Sequence, residues 1–368
     1  MGSSPTEVTF GWGAAQAFAE SVAEGERILV CTTERMLGRF GAVFEALGRR
    51  AEVETATEQM DASSVDSVTA LLERLRPLGP FARIVAIGGG SVLDTSKALA
   101  MGLAVEAPVR ELIAEPDRFA EHATPIVAMP TTAGTGSEVT MWGTVWDLEA
   151  RKKLSIAHPS LFPERAIVDP SLSATMPARL TAVTGFDALS HAMEVTWNVN
   201  HTAESDAWAR EAIGLIVKHL PTAVATPGDR EARAAMARAA TIAGKGISVT
   251  KTAAAHSISY PLTLFHDVDH GIACSITLPA LLRLNGESAP ERTGLIVEAL
   301  GAADAEGAAQ TLGALFAACN MPMRLSELGV TADDLPRLLA NAFTPARMAN
   351  NVRALTEDDV RALLSGLV

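Results

Sequence analysis

The chain has 368 residues, of which 48% are hydrophobic, and a formal net charge of −13. This length and apolar content are enough for two sizeable cores, and the acidity argues against nucleic acid or an anionic membrane as a partner. No apolar run is long enough to span a membrane, the first residues lack the pattern of a signal peptide, and the three cysteines indicate reduced core thiols, so we expect a cytoplasmic protein.

Up to about Pro177, short β-rich runs alternate with helical stretches. Strand patterns lie at residues 27–31, 51–55, 83–87 and 125–129, and helical patterns at residues 41–47 and 65–75, the latter with Ser63 or Ser64 as its N-cap. The alternation predicts a mainly parallel, Rossmann-like sheet with helices on both faces, in an α/β domain over residues 1–177 that the loops described below make a dinucleotide-binding domain. Residues 139–147 and 152–158 predict a further strand pair joined by a polar turn.

After Pro177 the β-branched runs stop and alanine-rich helical patterns dominate. These patterns lie at residues 180–198, 203–220, 230–245, 308–319 and 357–364. We therefore predict an all-helical domain over residues 178–368, which the candidate ligands described below make a metal-binding domain.

Two loops rich in glycine and threonine follow buried-strand patterns and indicate nucleotide binding. Gly88-Gly-Gly-Ser91 opens a helical stretch, where glycines let the backbone approach a pyrophosphate and the free N–H groups of the helix start bind it. The spacing differs from G-x-G-x-x-G and the turn is not in the first βα unit, so this is not the standard dinucleotide fingerprint. The second loop, Pro130-Thr-Thr-Ala-Gly-Thr-Gly-Ser-Glu138, offers hydroxyls for phosphate and ribose.

Four side chains in the second half could close on one divalent metal. Asp187 and His191 are spaced to lie on the same face of a helix, and His256 and His270 complete a set of one carboxylate and three imidazoles. Such a set suits Fe(II), Zn or Ni better than Mg or Ca, and it leaves the choice among those three open. Each residue alone could be an ordinary cap or histidine, but the set of four together with the nucleotide loops favours a metal site.

In their order along the chain, these motifs resemble the iron-containing (group III) alcohol dehydrogenase family. The resemblance includes Gly88–Ser91 with Asp94, the loop at 130–138, Ile167-Val-Asp-Pro170, Asp187-Ala-Leu-Ser-His191-Ala-Met-Glu194, His256 and His270-Gly271. It implies the dehydroquinate synthase-like architecture, in which an α/β domain is followed by a helical domain. It also implies a metal in the cleft between them, for which Fe(II) is our first choice. It also implies reversible hydride transfer between NAD(P)H and an aldehyde whose carbonyl the metal polarises, and a homodimer.

The resemblance also assigns residues to the cofactor. They are Gly89, Gly90, Ser91, Asp94, Thr131, Thr132, Thr135, Lys153, Leu172 and His270. Lys153 could instead be a solvated turn lysine beside Lys152. Cys274, close to His270 in sequence, is interpreted as a packing residue because the family uses no thiolate there.

The sequence departs from the family at the proton-relay position, where members commonly carry a second histidine four residues after the third ligand. Tyr260 stands there, and a phenol with an ordinary pKa of about 10 is a poor acid–base group at neutral pH. Our hypothesis is that Tyr260 orients substrate while water or His266 carries the proton. His266 could equally be an ordinary loop residue.

Cofactor choice depends on the residues after the first β-rich run, Thr33-Glu34-Arg35. If Thr33 occupies the acidic position of NAD binders, a 2′-phosphate is tolerated and Arg35 could pair with it; if the register shifts by one, Glu34 is the NAD carboxylate. We favour NADPH over NADH.

The substrate prediction rests on two cations, Lys251 and Arg347, with Trp142 as a further candidate substrate contact. Lys251 falls in the apolar run 249–255, which we interpret as a buried helix where a cation is costly unless paired. If both cations face the cleft, the substrate is a small aldehyde with a fixed anion; in the alternative, Lys251 pairs with a protein carboxylate and Arg347 is a surface residue. A phosphonoacetaldehyde reductase belongs to the family, so phosphonate biosynthesis, with 2-hydroxyethylphosphonate as the product, is the specific expectation.

Several alternative functions share part of this pattern. A generic iron-type alcohol dehydrogenase would act on neutral alcohols, and a dehydroquinate synthase-like lyase would use a glutamate and two histidines on its metal. Maleylacetate reductases lack the complete ligand set, and a nucleotide sensor would bind without turnover. The Asp187–His191 pair and the loop at 130–138 favour the dehydrogenase.

Overall fold

The protein is described by a computed structural model that covers residues 4–60, 62–150 and 152–368. The chain divides into two compact units. The first, the sheet unit, contains Ser4–Thr132 and Ser137–Ser173, and the second, the helical unit, contains Ala133–Gly136 and Ala174–Val368. The middle of the threonine- and glycine-rich loop therefore belongs to the helical unit, although no change of composition marks it.

The sheet unit alternates strands and helices in the predicted way. Its strands are β1 (Glu7–Phe10), β2 (Arg27–Cys31), β3 (Glu52–Ala56), β4 (Arg83–Gly88), β5 (Ile126–Pro130), β6 (Trp142–Asp147), β7 (Lys152–Ala157) and β8 (Arg165–Val168). Its helices are α1 (Ala14–Ser21), α2 (Glu34–Arg39), α3 (Gly41–Arg50), α4 (Val65–Leu75), α5 (Gly90–Gly102), α6 (Val109–Ala114) and α7 (Pro170–Ser173).

Six of these strands form one parallel sheet in the order β1-β8-β5-β4-β2-β3. Side chains alternate between its faces, so neighbours on one strand enter different cores. Leu29 and Ile84 pack with α4 and α5, whereas Val30 and Val85 pack with α1 and α3. The prediction of a parallel sheet covered on both faces is confirmed.

Two features of the sheet unit position the predicted loops. Gly88 and Pro130 are register partners at the ends of β4 and β5, so both loops leave the sheet at the same edge. The carboxyl edge of a parallel sheet is where ligands bind in open α/β folds. The predicted pair β6 and β7 is also confirmed, as an antiparallel hairpin with Trp142 opposite Ala157.

The helical unit contains the helices from α8 to α18. They are α8 (Ala178–Thr196), α9 (Ala203–Ala225), α10 (Arg230–Thr250), α11 (Ala254–His266), α12 (His270–Ser275), α13 (Leu278–Ser288), α14 (Pro290–Ala299), α15 (Ala305–Ala318), α16 (Leu335–Ala342), α17 (Pro345–Met348) and α18 (Glu357–Ser365). One large core holds them together, with Phe186, Leu220 and Phe316 among its buried members. Among the described residues, no helix combines the length and the apolarity that crossing a bilayer requires.

Candidate metal centre and cofactor loops

A buried group of metal-binding side chains lies where three helices of the helical unit meet. Asp187 of α8, His256 of α11, and His270 and Cys274 of α12 each contribute one donor atom, and these four atoms lie within 4.8 Å of one another. His270 is half-buried and the other three are buried. We call these residues, together with His191, the donor cluster.

His191 completes the predicted ligand set around the same carboxylate. Its Nε2 lies 3.8 Å from Oδ1 of Asp187, and Nε2 of His256 lies 3.7 Å from that oxygen. The two imidazole rings stack with their centroids 4.6 Å apart, and the His270 ring meets His256 edge-on at 5.4 Å. The structure therefore brings together all four residues that the sequence nominated as metal ligands.

The approach of α12 to α8 depends on Gly271. A Cβ atom at this position would lie 2.0 Å from the carbonyl oxygen of Val183, which is a backbone atom and cannot rotate away. Only glycine lets the start of α12 come this close to α8. The glycine that follows His270 in sequence thus sets the distance between that histidine and the α8 ligands.

Glu194 is a site residue that sequence reasoning quoted within a motif but gave no role. Its buried carboxylate accepts hydrogen bonds from Nδ1 of His256 at 2.7 Å and from the backbone N–H groups of Ala253 at 2.8 Å and His256 at 3.2 Å. Asp187, His191 and Glu194 recur at helical spacing, so one face of α8 carries two predicted ligands and the carboxylate that orients a third. That spacing is the sequence signal from which Glu194 could have been identified.

The protonation states of the histidines in the donor cluster are compatible with binding of a cation. Burial lowers the pKa of His191 to about 4 against the attraction of Asp187, so this imidazole is neutral. Burial also works to lower the pKa of His256, but the carboxylates of Glu194 and Asp187 outweigh it and raise that pKa. Nε2 of His256 is buried without a hydrogen-bond partner among the described residues, and it faces a carboxylate. A divalent metal would bind this nitrogen in place of its proton, so the residues fit the metal that the family resemblance implies.

Cys274, which we interpreted as a packing residue, lies next to the predicted ligand Asp187. Its Sγ lies 3.6 Å from Oδ1 of Asp187, inside the group of four donor atoms. Burial, reinforced by Asp187, raises the pKa of the thiol well above its ordinary value, so the sulfur keeps its proton and donates it toward Asp187. All three cysteines are buried and none forms a disulfide, as the sequence predicts.

Tyr260 and Arg347 form a stacked pair beside the donor cluster. The Tyr260 ring lies parallel to the His270 ring at 6.4 Å between centroids, and the Arg347 guanidinium sits 5.0 Å from the Tyr260 centroid. Nε of Arg347 also donates to Oγ1 of Thr252 at 3.2 Å. Burial raises the pKa of the Tyr260 hydroxyl although Arg347 opposes this, so the phenol keeps its proton and can only act as a hydrogen-bonding group at neutral pH.

His266 is not at the cluster. It is the last residue of α11, and the ten positions from His256 to His266 span about 15 Å of helix. Its ring contacts Nη2 of Arg337 at 3.2 Å and Oδ1 of Asp334 at 3.6 Å. The proposal that His266 carries the substrate proton is therefore not supported by its position.

The premise for Lys251 was wrong. Residues 249–255 are not one buried helix, because α10 ends at Thr250 and α11 begins at Ala254. Lys251 is exposed between them with a φ of 64°, in the left-handed region, so its ammonium bears no burial cost that a substrate anion would relieve. Its assignment to substrate stays a prediction without that support.

The cofactor loops lie at the carboxyl edge of the sheet. Gly89 is the N-cap of α5 and Gly90 its first residue, and Ser91 is exposed there. Asp94, one turn further, accepts from Oγ of Ser137 at 2.7 Å and from the backbone N–H of Thr144 at 2.9 Å. Thr131 follows β5 and is buried, while Thr132 is partly exposed within the same unit.

The remaining cofactor and substrate candidates have diverse environments. Thr33 is the partly buried N-cap of α2, and Arg35 is exposed in that helix. Lys153 lies over the Trp146 ring at 5.8 Å, and Leu172 is buried in the core of the sheet unit, where its side chain packs. Trp142 is partly buried at the start of β6, and Thr135 lies in the loop segment that belongs to the helical unit.

Lys97 is a second buried charge that sequence reasoning gave no role. It is 1% exposed, and its Nζ donates to the carbonyl oxygen and Oγ of Ser137, to Oγ1 of Thr140 and to the carbonyl oxygen of Trp142. Burial lowers its pKa to about 8 although Asp94 and Glu138 oppose the shift. Lys97 and Asp94 together tie α5 to the end of the threonine- and glycine-rich loop.

Comparison with known families and proteins gives a consistent result. The model of the iron-containing alcohol dehydrogenases matches residues 5–170, and that of the C-terminal part of the Fe-containing alcohol dehydrogenase family matches residues 181–368.

Among proteins of known activity, a phosphonoacetaldehyde reductase of Streptomyces viridochromogenes is 36% identical, over 81% of this chain and 79% of its own length. An NAD-dependent methanol dehydrogenase of Bacillus methanolicus is 35% identical over 76% of each chain. Among solved structures, a sulfoacetaldehyde reductase from Bifidobacterium kashiwanohense in complex with NAD+ is 32% identical with a TM-score of 0.92, over 99% of this chain and 97% of that one.

Proposed function

The chain belongs to the iron-containing alcohol dehydrogenase family, and on this premise we propose that it reduces a small anionic aldehyde to a primary alcohol with a divalent metal and a nicotinamide cofactor. Phosphonoacetaldehyde, reduced to 2-hydroxyethylphosphonate, is our candidate substrate. The observation that carries the proposal is the stacking of Arg347 on Tyr260, next to the His270 ring of the donor cluster.

The two units would divide the work. Asp187, His191, His256 and His270 would hold the metal, Fe(II) in our proposal with Zn and Ni as alternatives, which when bound polarises the substrate carbonyl as a Lewis acid. The loops after β4 and β5 would hold the pyrophosphate of the cofactor, whose nicotinamide carries the hydride. Tyr260 would donate a hydrogen bond that orients the substrate, and since His266 lies at the far end of α11, we assign proton transfer to water.

The charge of Arg347 supports an anionic substrate. Among the described residues, no carboxylate lies within ion-pair distance of Arg347, whereas Arg292 and Arg353 in the same unit are both paired with aspartates. A half-buried guanidinium without a carboxylate is free to bind a phosphonate or sulfonate bidentately. Two of the similar proteins are named as reductases of phosphonoacetaldehyde and sulfoacetaldehyde, which are both aldehydes with a fixed anion.

The proposal predicts an effect of Arg347→Ala that depends on substrate charge. We expect KM for phosphonoacetaldehyde to rise roughly 10- to 100-fold, because a hydrogen bond to a charged group contributes about 1.5–3 kcal/mol. KM and kcat for butyraldehyde should change little. Arg347→Lys should give an intermediate KM, since lysine keeps the charge but not the planar fork. Steady-state kinetics of the metal-loaded enzyme with both aldehydes measures this.

Arg337→Ala is the matched control, because Arg337 also stacks on an aromatic ring, that of Phe265 at 4.9 Å, but contacts His266 instead of the cluster. It should leave both KM values unchanged. If the native enzyme used butyraldehyde as efficiently as phosphonoacetaldehyde, the substrate would be a neutral aldehyde and the anion proposal would be wrong.

We also propose NADPH as the preferred cofactor. Thr33, at the N-cap of α2 after strand β2, offers no carboxylate to repel a 2′-phosphate, and Arg35 is an exposed cation two residues later. We expect kcat/KM to be higher with NADPH, and Arg35→Ala to lower it for NADPH but not for NADH. A preference of about tenfold or more for NADH in the native enzyme would show that Glu34 acts as the ribose carboxylate instead.

A further inference from the structure

We propose that Glu194 is a positioning residue that holds His256 with its Nε2 directed to the metal, and that it does so because the same carboxylate caps helix α11. This inference rests on the proposed function only in that a divalent metal binds the donor cluster. It does not depend on the substrate or on the cofactor.

The helix gives the carboxylate its fixed position. The N-cap residue of α11 is Ala253, which has no side-chain oxygen for the free N–H groups of the first turn. Glu194, 59 residues earlier on α8, supplies both oxygens instead, one to the N–H of Ala253 and one to the N–H of His256. A carboxylate is favoured at a helix N-terminus by the partial positive charge there.

The fixed carboxylate then determines how the imidazole can bind a metal. An ionised carboxylate only accepts hydrogen bonds, so Nδ1 of His256, 2.7 Å from Oε2, must carry a hydrogen. In the neutral ring the lone pair is therefore on Nε2, which is buried, has no hydrogen-bond partner among the described residues and lies 3.7 Å from Oδ1 of Asp187. Carboxylates that orient a metal-binding histidine in this way raise its basicity and its affinity for the metal.

Replacing the carboxylate by an amide of the same shape separates the two roles. In Glu194→Gln, the amide oxygen can take the place of Oε2 and still accept from the N–H of Ala253 and from Nδ1–H, but the NH₂ group then opposes the backbone N–H of His256. The neutral amide also lacks the negative charge that raises the basicity of the imidazole. We expect Co(II) and Zn to bind about 10- to 100-fold more weakly, the usual effect of losing such an orienting group.

The experiment measures Co(II) affinity from the visible absorption of the bound ion and Zn affinity by competition with a chromophoric chelator, on full-length protein. The matched control is Asp229→Asn, because Asp229 caps α10 by accepting from the N–H of Ala232 at 2.8 Å without contacting a histidine. It makes the same carboxylate-to-amide change at a helix N-terminus and should leave metal affinity unchanged. Thermal unfolding of the metal-free variants compares the two cap losses directly.

The outcomes are distinct. Weaker metal binding by Glu194→Gln, in a metal-free protein that still unfolds cooperatively and with native metal affinity in Asp229→Asn, supports the positioning role. Metal affinity within about twofold of native would overturn it, as would an affinity loss matched by Asp229→Asn. If the native protein bound neither ion, both this inference and the proposed metal dependence would fail. If it bound them as expected but reduced no anionic aldehyde, only the proposed substrate would fail.

Discussion

Glu194 and Lys97 are two buried charges without a role in the sequence argument, and each is satisfied largely by backbone groups. Glu194 accepts from two N–H groups at the start of α11, and Lys97 donates to the carbonyl oxygens of Ser137 and Trp142. A buried charge costs a great deal of free energy unless it is paired and hydrogen-bonded. These contacts therefore hold the charges in place, while the charges fix irregular backbone at the start of α11 and between Ser137 and Trp142.

The lowered pKa of Lys97 predicts a pH-dependent stability. The native side chain loses its proton near pH 8, whereas a lysine in the unfolded chain keeps its proton to about pH 10.5. Between these values the unfolded state binds more protons, so the free energy of unfolding rises with pH; below pH 8 both states are protonated and this contribution is flat. The rise is at most a few kcal/mol, at about 1.4 kcal/mol per pKa unit.

Lys97→Met should remove this slope. The variant should be less stable than native at pH 7, because four acceptors lose their donor, and the difference between the two proteins should widen from pH 8 to pH 10. Urea unfolding at a series of pH values measures the difference, with the exposed Lys218→Met as control. A constant difference across that range would contradict the lowered pKa.

At the level of elements, the sequence predicted most helices and strands because their signals are local. Ser64, for example, caps α4 through a reciprocal pair with Ser67, and the predicted start at Val65 is confirmed. The start of α11 has no such signal. Its cap comes from Glu194 in another helix, so the apolar run 249–255 was wrongly interpreted as continuous and Lys251 was wrongly placed inside it.

The four proposed metal ligands could be nominated from local signals in the sequence, but the geometry that brings them together could not. Asp187 and His191 share a helical face by spacing alone, but the distance from α8 to His270 is set by the contact of Gly271 with the Val183 carbonyl. That contact is between residues far apart in the chain, and its only trace in the sequence is the glycine that follows His270. The thiol of Cys274 near Asp187 and the stacking of Arg347 on Tyr260 likewise depend on helix packing that no periodicity encodes.

Across the whole molecule, the proposed metal ligands and most of the proposed cofactor residues lie in different units. All members of the donor cluster lie in the helical unit, whereas Gly89, Asp94 and Thr131 lie in the sheet unit. One short segment departs from this division, because Ala133–Gly136 belongs to the helical unit. Gly136 in this segment has a φ of +63°, and a Cβ there would lie 2.4 Å from Cα of Gly244 in α10, which explains why a glycine is needed.

This division predicts where metal removal acts. A ligand that binds only the folded state stabilises it by about 4 kcal/mol at a concentration 1,000 times its Kd. Removal of the ligand should first increase local opening of the helices whose residues bind it. Chelation should therefore speed amide hydrogen exchange in α8, α11 and α12, while β2, β4 and β5 exchange as before. Adding NADPH to the chelated protein should instead slow exchange at residues 88–97 and 130–138. Hydrogen-exchange mass spectrometry of the loaded, chelated and reloaded protein tests both effects, and unchanged exchange in α11 after chelation would mean that the donor cluster is not the metal site.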